Sequence, residues 1–570
     1  MRRPGPLPAN EQCRTPKRVI ALHCETVKAP RPNGYALSFA GATIIEAYRQ
    51  DSGEWSEPVT LVFDDPAALW EEITDYCRVR ARTWLVSYLA GNELRLAQAF
   101  HYLPALGWTM NPDPIVGDST LSLGWHDDAK RSLLAVDLFS YLAHDLRTIQ
   151  VRTEAFTEVD AIFRAFLDLT SLQHDFDLGN FSRTGASNAS NQFRHCHMTE
   201  RIYVHDDEAA LAAEKESIFA GRTEAWRIGT YELDEWDLPL AYSRIGLDTY
   251  LPVRLLGHRT GSLDLDPRRL ALVHALVKSM VPTLPARNAD AGINWPVGTF
   301  KGWYWQPELD LAAEYGAEIT PLEAYVYEAA PVLSSWAEWI IASQTATNLT
   351  PVQQMATKHW GRALIGKFGA QIPDWRDDAW FDDCELELSH IIDTARGVGE
   401  RLTVGGRSLV SYERRYTDHA FPALMSRVIS ECRMRLWHLM CVAGLESVYY
   451  VDTDSLLVDR RGSNRLRAFT QAGGGWRVRI KTPHINVSIL GPRQLIIDGN
   501  LKVSGLPRGA KPGDKQAEYL AQMTESFRGG AARGHPGEVV SAERSFTVRG
   551  SDTRRNHLEG GRTAALSVGG

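Results

Sequence analysis

The 570-residue chain contains no run of about 18 apolar residues, the length that a helix needs to cross a membrane. Its N-terminus is basic but lacks the apolar core that a signal peptide requires. The seven cysteines are scattered and include no C-x-x-C pair, so neither a zinc finger nor a disulfide scaffold is indicated. We therefore expect a soluble, cytoplasmic protein with no signal peptide, no transmembrane segment and no membrane partner.

An excess of positive charge is also absent. The chain has 62 Lys and Arg residues against 70 Asp and Glu residues, a formal net charge of -8. This balance excludes a uniformly basic nucleic-acid binder, but a carboxylate-rich metal site and a local basic groove can coexist in one molecule. The length is too great for a single hydrophobic core, so several domains are expected.

The most informative stretch is residues 447–458, with the sequence SVYYVDTDSLLV. Two apolar runs flank four polar residues, which predicts two short buried strands joined by a tight turn. Asp452 and Asp454 are two residues apart, so both carboxylates can leave the same side of this hairpin. Such a pair repels unless a cation neutralises it, and hard oxygen ligands suit Mg2+. The alternative is a plain β-turn rich in Asp and Ser.

With Tyr450 and Ser455, the same residues form Y-x-D-T-D-S, which resembles motif C of the family B DNA polymerases. The resemblance implies an α/β and α+β multidomain fold, in which a ribonuclease-H-like exonuclease domain precedes a right-handed palm, fingers and thumb. It also implies a DNA-directed DNA polymerase that adds deoxynucleotides to a primer 3′ end. Two Mg2+ ions, with Mn2+ as a substitute, would be held by Asp237 and Asp454, with Asp452 as an outer ligand.

Residues 230–243 resemble motif A, whose first Asp is a metal ligand. Asp234 and Asp237 compete for that role. The family's Tyr stands five residues after its Asp, and Tyr242 stands five residues after Asp237, so the register favours Asp237. In the family this Tyr crowds the 2′-hydroxyl, so Tyr242 would discriminate between sugars. A solvated acidic turn is the alternative for this segment.

Residues 358–369 resemble motif B of the fingers. Lys358 aligns with the Lys that grips the incoming triphosphate, and Arg362 occupies the Asn position. Members of the family often carry another cation on the preceding helix, but no Arg or Lys occurs from Trp339 to Thr357. Because Arg362 is one helical turn after Lys358, we predict that it supplies the missing charge. A solvated amphipathic helix is the alternative.

Residues 218–224 resemble the linker between the exonuclease and polymerase modules, which touches single-stranded template. Arg222 would supply its positive charge, although an ordinary glycine turn is the alternative.

The primer-binding residues are predicted from the segments 492–495 and 502–507, which resemble the family's primer grip. Arg493 replaces the usual Lys of that element, and Lys502 begins its second half. Tyr450 of motif C completes the predicted substrate-binding residues.

Strands near the N-terminus resemble the family's 3′–5′ exonuclease domain, but its acids are incomplete. His23 occupies the first carboxylate position and only Glu25 remains. The second motif keeps Asn92 without its Asp, and Asp206 or Asp207 would serve the third motif. Two of the four acids thus appear replaced, which predicts a retained scaffold with an inactive site, because a cluster of carboxylates is needed to hold two metals.

The order of the motifs predicts the domains: a disordered basic arm (1–17), an exonuclease-like domain (18–215), the N-terminal part of the palm (216–335), the fingers (336–385), the C-terminal part of the palm (386–500), and a thumb with a flexible tail (501–570). The compact size resembles polymerases of viruses, plasmids or mobile elements in a bacterial host or its nucleoid. Expected partners are primer-template DNA, deoxynucleoside triphosphates, and a terminal protein or another replication protein. The alternatives are a catalytically decayed polymerase that serves as a DNA-binding scaffold, and a 3′–5′ nuclease.

Overall fold

The computed structural model describes residues 4–50, 52–117, 120–261, 269–287, 292–380, 385–473, 478–507, 510–513, 518–534, 537–548 and 554–568. Across these ranges we find no helix with the length and apolar character needed to span a membrane.

The helices, in chain order, are α1 (Pro66–Tyr76), α2 (Ala90–Leu96), α3 (Ala99–Ala105), α4 (Phe139–Leu142), α5 (Leu146–Thr153), α6 (Glu158–Asp175), α7 (Gly185–Gln192), α8 (Glu208–Glu216), α9 (Ala241–Asp248), α10 (Gln306–Glu314), α11 (Ser334–Ser343), α12 (Pro351–Phe368), α13 (Pro422–Ala443), α14 (Arg460–Gln471) and α15 (Phe527–Ala532). Single π or 3-10 turns occur at Phe193–His197, Leu445–Ser447 and Glu559–Gly561.

The strands, in chain order, are β1 (Gly5–Pro6), β2 (Arg18–Arg31), β3 (Gly34–Tyr48), β4 (Val59–Phe63), β5 (Arg82–Ser87), β6 (Thr109–Met110), β7 (Ile115–Val116), β8 (Leu121–His126), β9 (Ser132–Asp137), β10 (Tyr203–Val204), β11 (Thr223–Ala225), β12 (Gly229–Asp237), β13 (Leu251–Thr260), β14 (Arg269–Ser279), β15 (Ala286–Arg287), β16 (Ile293–Asn294), β17 (Val297–Trp305), β18 (Glu318–Ala330), β19 (Gln371–Pro373), β20 (Arg376–Trp380), β21 (Leu386–Asp393), β22 (Gly397–Val404), β23 (Arg407–Ser411), β24 (Arg414–Tyr416), β25 (Val448–Asp452), β26 (Ser455–Val458), β27 (Arg479–Gly491), β28 (Gln494–Ile497), β29 (Asn500–Val503), β30 (Lys511–Pro512), β31 (Glu518–Thr524), β32 (Glu538–Thr547), β33 (Arg555–His557), β34 (Thr563–Ala565) and β35 (Ser567–Val568).

The exonuclease-like part is built on a mixed sheet with the order β30-β31-β32-β3-β2-β5-β9-β8-β6. Strands β2, β5 and β9 run parallel at its centre. In β2, Val19 and Ala21 join the apolar core on one face, whereas Ile20 and Leu22 join a separate core on the other. A strand covered on both faces must be apolar throughout, which explains the continuous run that ends at His23.

The palm is an antiparallel sheet with the order β11-β25-β26-β12-β27-β28-β29. Side chains alternate between its faces, because successive residues of a strand point in opposite directions. Val451 and Leu456 pack into the core that also contains residues of α13, whereas Tyr450 and Leu457 pack into a smaller cluster on the opposite face. The predicted hairpin is thus present in the palm sheet, with apolar residues packed on both faces.

Two helices, α11 and α12, form most of the segment that the sequence assigns to the fingers. Thr350 caps α12, its side chain accepting the amide of Gln353 while the Gln353 side chain accepts the amide of Thr350. This reciprocal capping and Pro351 at the first turn fix the start of the helix.

A four-stranded sheet, β20-β23-β22-β21, is inserted between α12 and α13. Its Leu386, Leu402 and Leu409 pack with Phe100 and Trp125 in the exonuclease-like core. The insertion therefore belongs in packing terms to the exonuclease-like part.

The N-terminal arm is not disordered over its described residues, contrary to the prediction. Residues 1–3 lie outside the described part, but β1 pairs with β10 and the Leu7 amide donates to the Ile202 carbonyl over 2.7 Å. Leu7 itself is buried. The pairing of β1 with β10 and the burial of Leu7 hold the arm in place, and composition alone reveals neither contact.

The C-terminal tail also differs from the prediction of a flexible segment. Strands β31 and β32 extend the exonuclease-like sheet through pairing of β32 with β3. The chain then returns to the polymerase part, where β35 pairs with β17 in a second seven-stranded sheet, β1-β10-β13-β18-β14-β17-β35. Backbone pairing with the edge strands of the two sheets therefore orders this tail, although its sequence has little apolar periodicity.

Candidate polymerase active site

The turn between β25 and β26 brings three acidic residues to one end of the palm sheet. Asp237 pairs directly with Ser455 across β12 and β26. The Leu238 amide donates to the carbonyl of Asp454 over 2.9 Å, and the Asp454 amide donates to the Asp452 carbonyl over 2.6 Å. Main-chain bonds therefore set the distance between motif A and motif C.

Thr453, at the tip of this turn, has a φ of 58°, in the left-handed region that costs energy for a β-branched residue. Its amide donates to the carbonyl of Arg222 over 2.7 Å. A Cβ on Gly221 would lie 2.7 Å from the Thr453 side chain, so only glycine allows this approach. The segment before β11 thus supports the turn from behind.

The carboxylates near the turn line two adjoining cavities. Asp237 and Asp454 line a cavity of about 800 Å³, and Asp452 lines another of about 930 Å³. Ser455 and Lys481 line both. Asp452 thus borders a different cavity from Asp454, although its charge is close enough to raise the pKa of Asp454.

The acids fit a hard divalent cation. Burial, together with the charges of Asp237 and Asp452, raises the pKa of Asp454 to about 6. A cation relieves this repulsion, and Mg2+ is commonly bound by one or two carboxylates together with substrate phosphates. Within the described ranges no group of three or more His, Cys, Asp or Glu side chains forms a preassembled metal cage.

Asp234, the competing residue of motif A, faces elsewhere. Its side chain is buried and accepts the amide of His484 over 2.9 Å, with Arg467 at 3.7 Å. Asp234 and Asp237 differ by three positions along β12, so they point to opposite faces. This placement agrees with the register in which Asp237 faces the cavity.

Cations from the fingers line the cavity that contains Asp237 and Asp454. Lys358 and Arg362 are exposed, lie one turn apart on α12, and both border this cavity. Tyr242 lies between them and the acids, and burial raises the pKa of its hydroxyl, so it remains neutral. The cavity thus has carboxylates on one wall and two cations on the other.

Two further cations of the same cavity were missed from the sequence. Arg479 lies 3.4 Å from a carboxylate oxygen of Asp237, and Lys481 lies 2.7 Å from Glu235. They alternate on β27 with buried or half-buried neighbours, and no motif of the resemblance includes them. Their separation by two residues, which places both on one face of a strand, was the available signal.

The second cavity contains the predicted primer-side residues. Arg493 and Lys502 line it together with Tyr450 and Asp452. The Tyr450 hydroxyl accepts the amide of Arg493 over 2.9 Å, which attaches the β27–β28 turn to motif C. Arg493 has a φ of 58°, so this bond also holds a left-handed residue.

Arg222 does not lie where a template contact needs it. Its side chain is 1% exposed and its Nε donates to Glu224 over 2.5 Å. The guanidinium lies 5.1 Å from the ring centre of Trp295 and 4.9 Å from that of Trp437. The predicted role in substrate binding is therefore corrected: aromatic residues distant in sequence converge on Arg222 and bury it.

The degenerate exonuclease site forms a separate cleft of about 490 Å³ that contains His23 and Glu25. His23 Nε2 lies 2.7 Å from a carboxylate oxygen of Glu158, and its Nδ1 lies 3.4 Å from Glu93. Burial lowers the pKa of His23, but Glu93, Glu158 and Glu25 outweigh it, so the pKa is raised. The surrounding carboxylates therefore favour the protonated form of this imidazole.

Asn92 lies beside this cleft, but its neighbours differ from the family's pattern. The Asn92 side chain donates to the carbonyl of Glu525 over 3.1 Å. Leu96, at the expected Asp position, is buried. Glu93, which the sequence reading passed over, reaches His23 instead.

Asp206 and Asp207 do not reach the exonuclease cleft. The preceding strand β10 belongs to the seven-stranded sheet that includes β13 and β18, and Asp207 caps α8 by accepting the Ala210 amide over 3.0 Å. Asp160, at the start of α6 and four residues after Phe156, lines the cleft in place of Asp206 and Asp207. Phe156 and Asp160 have the Y-x-x-x-D spacing with Phe at the Tyr position. Because the Tyr is missing, the sequence motif did not reveal Asp160.

These features define a right-hand polymerase fold, with palm and fingers, preceded by an exonuclease-like domain. No protein-family model matches the chain. Solved structures of Phi29 DNA polymerase superpose over 94% of this chain and 100% of their own. The TM-score is 0.65 at 12% identity for its complex with primer-template DNA, and 0.63 at 13% identity for its ternary complex with incoming nucleotide substrates. The chain has the fold of Phi29 DNA polymerase, which confirms the multidomain fold that the sequence resemblance implies.

A sequence match points the same way. Over 185 residues the chain is 26% identical to a protein of Neurospora intermedia described as a probable DNA polymerase. The match covers 31% of this chain and 19% of that protein, so it spans about a fifth of the curated relative.

Proposed function

We propose that this chain is a DNA-directed DNA polymerase, a nucleotidyltransferase that adds deoxynucleotides to a primer 3′ end. The observation that carries the proposal is the cavity in which Asp237 and Asp454 face Lys358 and Arg362. Carboxylates for metal ions opposite cations for phosphates are what phosphoryl transfer requires.

Asp237 and Asp454, with Asp452 as an outer ligand, would hold two Mg2+ ions or Mn2+ in their place. The bound ions supply the charge that activates the primer hydroxyl and neutralises the leaving pyrophosphate. Thr223 and Thr453 donate to a carboxylate oxygen of Asp452 over 2.8 and 3.2 Å, which orients this outer acid.

The residues around the cavity have separate tasks in this proposal. Lys358 and Arg362 hold the triphosphate from the fingers, and Arg479 and Lys481 hold it from the palm. Arg479 contacts Asp237, and the incoming phosphates and metal would exchange this contact for their own. Tyr242 lines the same cavity and would exclude ribonucleotides by contact with the sugar.

The primer would enter through the second cavity, which Asp452 lines. Arg493 and Lys502 contribute positive charge to a cavity that also contains Asp452. Contacts of Arg and Lys with phosphates set the register of a nucleic acid without reading its sequence. Primer-template DNA and deoxynucleoside triphosphates are therefore the proposed partners, and a terminal protein stays a prediction from the resemblance.

We also propose that the exonuclease-like domain does not proofread. Its cleft offers His23 where the family has a carboxylate and Leu96 where it has another. A neutral imidazole is a poor ligand for Mg2+, and a protonated one repels it. The carboxylates of Glu93 and Glu158 contact His23 and that of Asp160 contacts Arg164, which leaves too few acids for the two-metal arrangement that the chemistry needs.

Extension of a 5′-labelled primer on a longer template, with Mg2+ and the four deoxynucleotides, tests the proposal. We expect products one nucleotide longer at each step, and none from Asp454→Asn. Tight primer-template binding by the wild type without any extension would instead support the decayed polymerase that acts as a scaffold.

A further inference from the structure

The last described residues, 555–568, lie against the strand that supports the catalytic turn. Strands β33 and β34 form a hairpin, and its turn runs along the residues that follow β11. The Ile228 amide donates to the Gly561 carbonyl over 2.6 Å, and the Thr563 amide donates to the Trp226 carbonyl over 3.1 Å. More than 300 residues separate the two segments in the sequence.

A buried ion cluster anchors this contact. Arg555 Nη1 donates to Glu224 Oε1 over 2.6 Å, and Arg222 Nε donates to Glu224 Oε2 over 2.5 Å. The side chains of all three are at most 2% exposed. Burial opposes ionisation of Glu224, but the two arginines outweigh it and lower the pKa of this carboxyl. The cluster is therefore charged, and each member depends on the others.

The cluster leads directly to the catalytic turn through β11. In the register of β11 with β25, Glu224 pairs with Val451, and Thr223 pairs with Asp452. The Thr223 hydroxyl donates to the Asp452 carboxylate, and the carbonyl of Arg222 accepts the Thr453 amide. Any displacement of β11 thus moves both hydrogen bonds that hold the turn.

Arg555 is the part of the cluster that comes from the C-terminal segment. Its Nε donates to the hydroxyl of Thr563 over 2.8 Å, and that hydroxyl donates to the Ala225 carbonyl over 2.7 Å. Its guanidinium lies 4.4 Å from the ring centre of Trp226. These contacts orient the arginine toward Glu224. Without Arg555, the carboxylate would keep one of its two cations in a site that water does not reach.

We propose that residues 555–568 form a strap that sets the position of the turn at Asp452–Asp454, with Arg555 as a positioning residue for nucleotide addition. The inference rests on the proposed polymerase function for its effect on rate. Its geometric part, the support of the turn by the strap, does not depend on that function.

The test compares Arg555→Met with Arg562→Met in the full chain. Arg562 is in the same segment and undergoes the same change of residue type. Because its side chain is exposed, it serves as the matched control. We measure amide hydrogen exchange across residues 448–456, the rate of single-nucleotide incorporation, its dependence on Mg2+ concentration, and the Kd for primer-template DNA. A small misplacement of catalytic groups lowers rates by about ten- to a hundredfold.

For Arg555→Met we expect faster exchange in the hairpin, a rate reduced by roughly tenfold or more, a higher Mg2+ requirement and a Kd within about twofold of wild type. Arg562→Met should match the wild type in all four. Unchanged exchange and an unchanged rate in folded Arg555→Met would overturn the strap. The strap would also be overturned if the rate falls only in proportion to the folded fraction and the Mg2+ dependence is unaltered.

If Arg555→Met does not fold, Thr563→Val decides the question, because it removes only the hydroxyl between Arg555 and β11. Faster hairpin exchange supports the strap, and exchange equal to that of the wild type contradicts it. If the wild-type chain fails to extend primers, the proposed function fails, whereas the exchange data still decide whether the strap supports the turn.

Discussion

On the proposed function, Asp237 and Asp454 are arranged for metal binding at some cost in electrostatic repulsion. They face one cavity, repel each other, and are joined by main-chain bonds that prevent them from moving apart. Such strained and charged groups are retained where chemistry needs them.

Asp237→Asn and Asp454→Asn should each reduce extension by about a thousandfold or more, because each removes a charged metal ligand that stabilises the transition state. Asp234→Asn is the matched control, since its remaining carbonyl can still accept the amide of His484. Single-turnover incorporation rates measure the effect. If Asp234→Asn is inactive and Asp237→Asn is active, the register of motif A is wrong.

The raised pKa of Asp454 has a consequence with a definite sign. Its pKa is about 6 in the folded chain and 3.8 as the reference value, so between these pH values only the folded state holds the proton. Metal-free stability should therefore rise as the pH falls from 7 to 5, and Asp454→Asn should remove this contribution. Melting temperatures in EDTA across this range measure it. A wild type and an Asn variant with parallel pH profiles would contradict the prediction.

Arg362→Met and Lys358→Met should raise the apparent KM for deoxynucleotides by about tenfold or more, with little change in primer-template binding, since both cations border the nucleotide cavity. Lys367→Met serves as the control on the same helix, because its ammonium donates to Ser187 instead. Steady-state kinetics at saturating DNA give the values. An unaltered KM in Arg362→Met would make that residue a simple surface charge.

At the scale of elements, strong local patterns predicted structure well and isolated residues predicted it poorly. The hairpin at Asp452 and the capped helix after Thr350 depend on neighbours in sequence, so periodicity and capping were sufficient. The burial of Arg222 depends on Trp295 and Trp437, whose approach no local pattern encodes. Asp160 was missed because Phe156 replaces the Tyr by which the third exonuclease motif is recognised.

The exonuclease-like elements allow a prediction of their own. The wild type should leave a 5′-labelled single strand intact in Mg2+ or Mn2+, because His23 occupies the position of a bridging carboxylate between Glu93 and Glu158. Denaturing gels record the result after an incubation as long as the one used for primer extension. The Asp454→Asn variant excludes any reaction at the polymerase site. Degradation that persists in Asp454→Asn and disappears in Glu25→Ala would show an active nuclease.

In the whole molecule, the polymerase part is not separable from the exonuclease-like part. Residues 34–38 of β3 pair with residues 538–542 of β32, and Arg95 Nη2 lies 2.9 Å from Glu525. The fragment 216–570 should therefore lack a folded thumb and fail to extend primers, because its β32 loses the sheet it pairs with. His23→Ala in the full chain is the control and should extend normally. Circular dichroism and primer extension of the fragment decide the matter, and a folded, active fragment would refute the prediction.

The pairing of β32 with β3 also bears on how such a chain can change over generations. Selection on chemistry and selection on architecture act on different residues of the same domain. On the proposed function, loss of acids from the cleft would leave DNA synthesis unharmed, whereas a substitution that blocks the edge of β3 would impair the thumb. A domain without nuclease activity would then still be inherited for its shape, since β32 pairs with its edge.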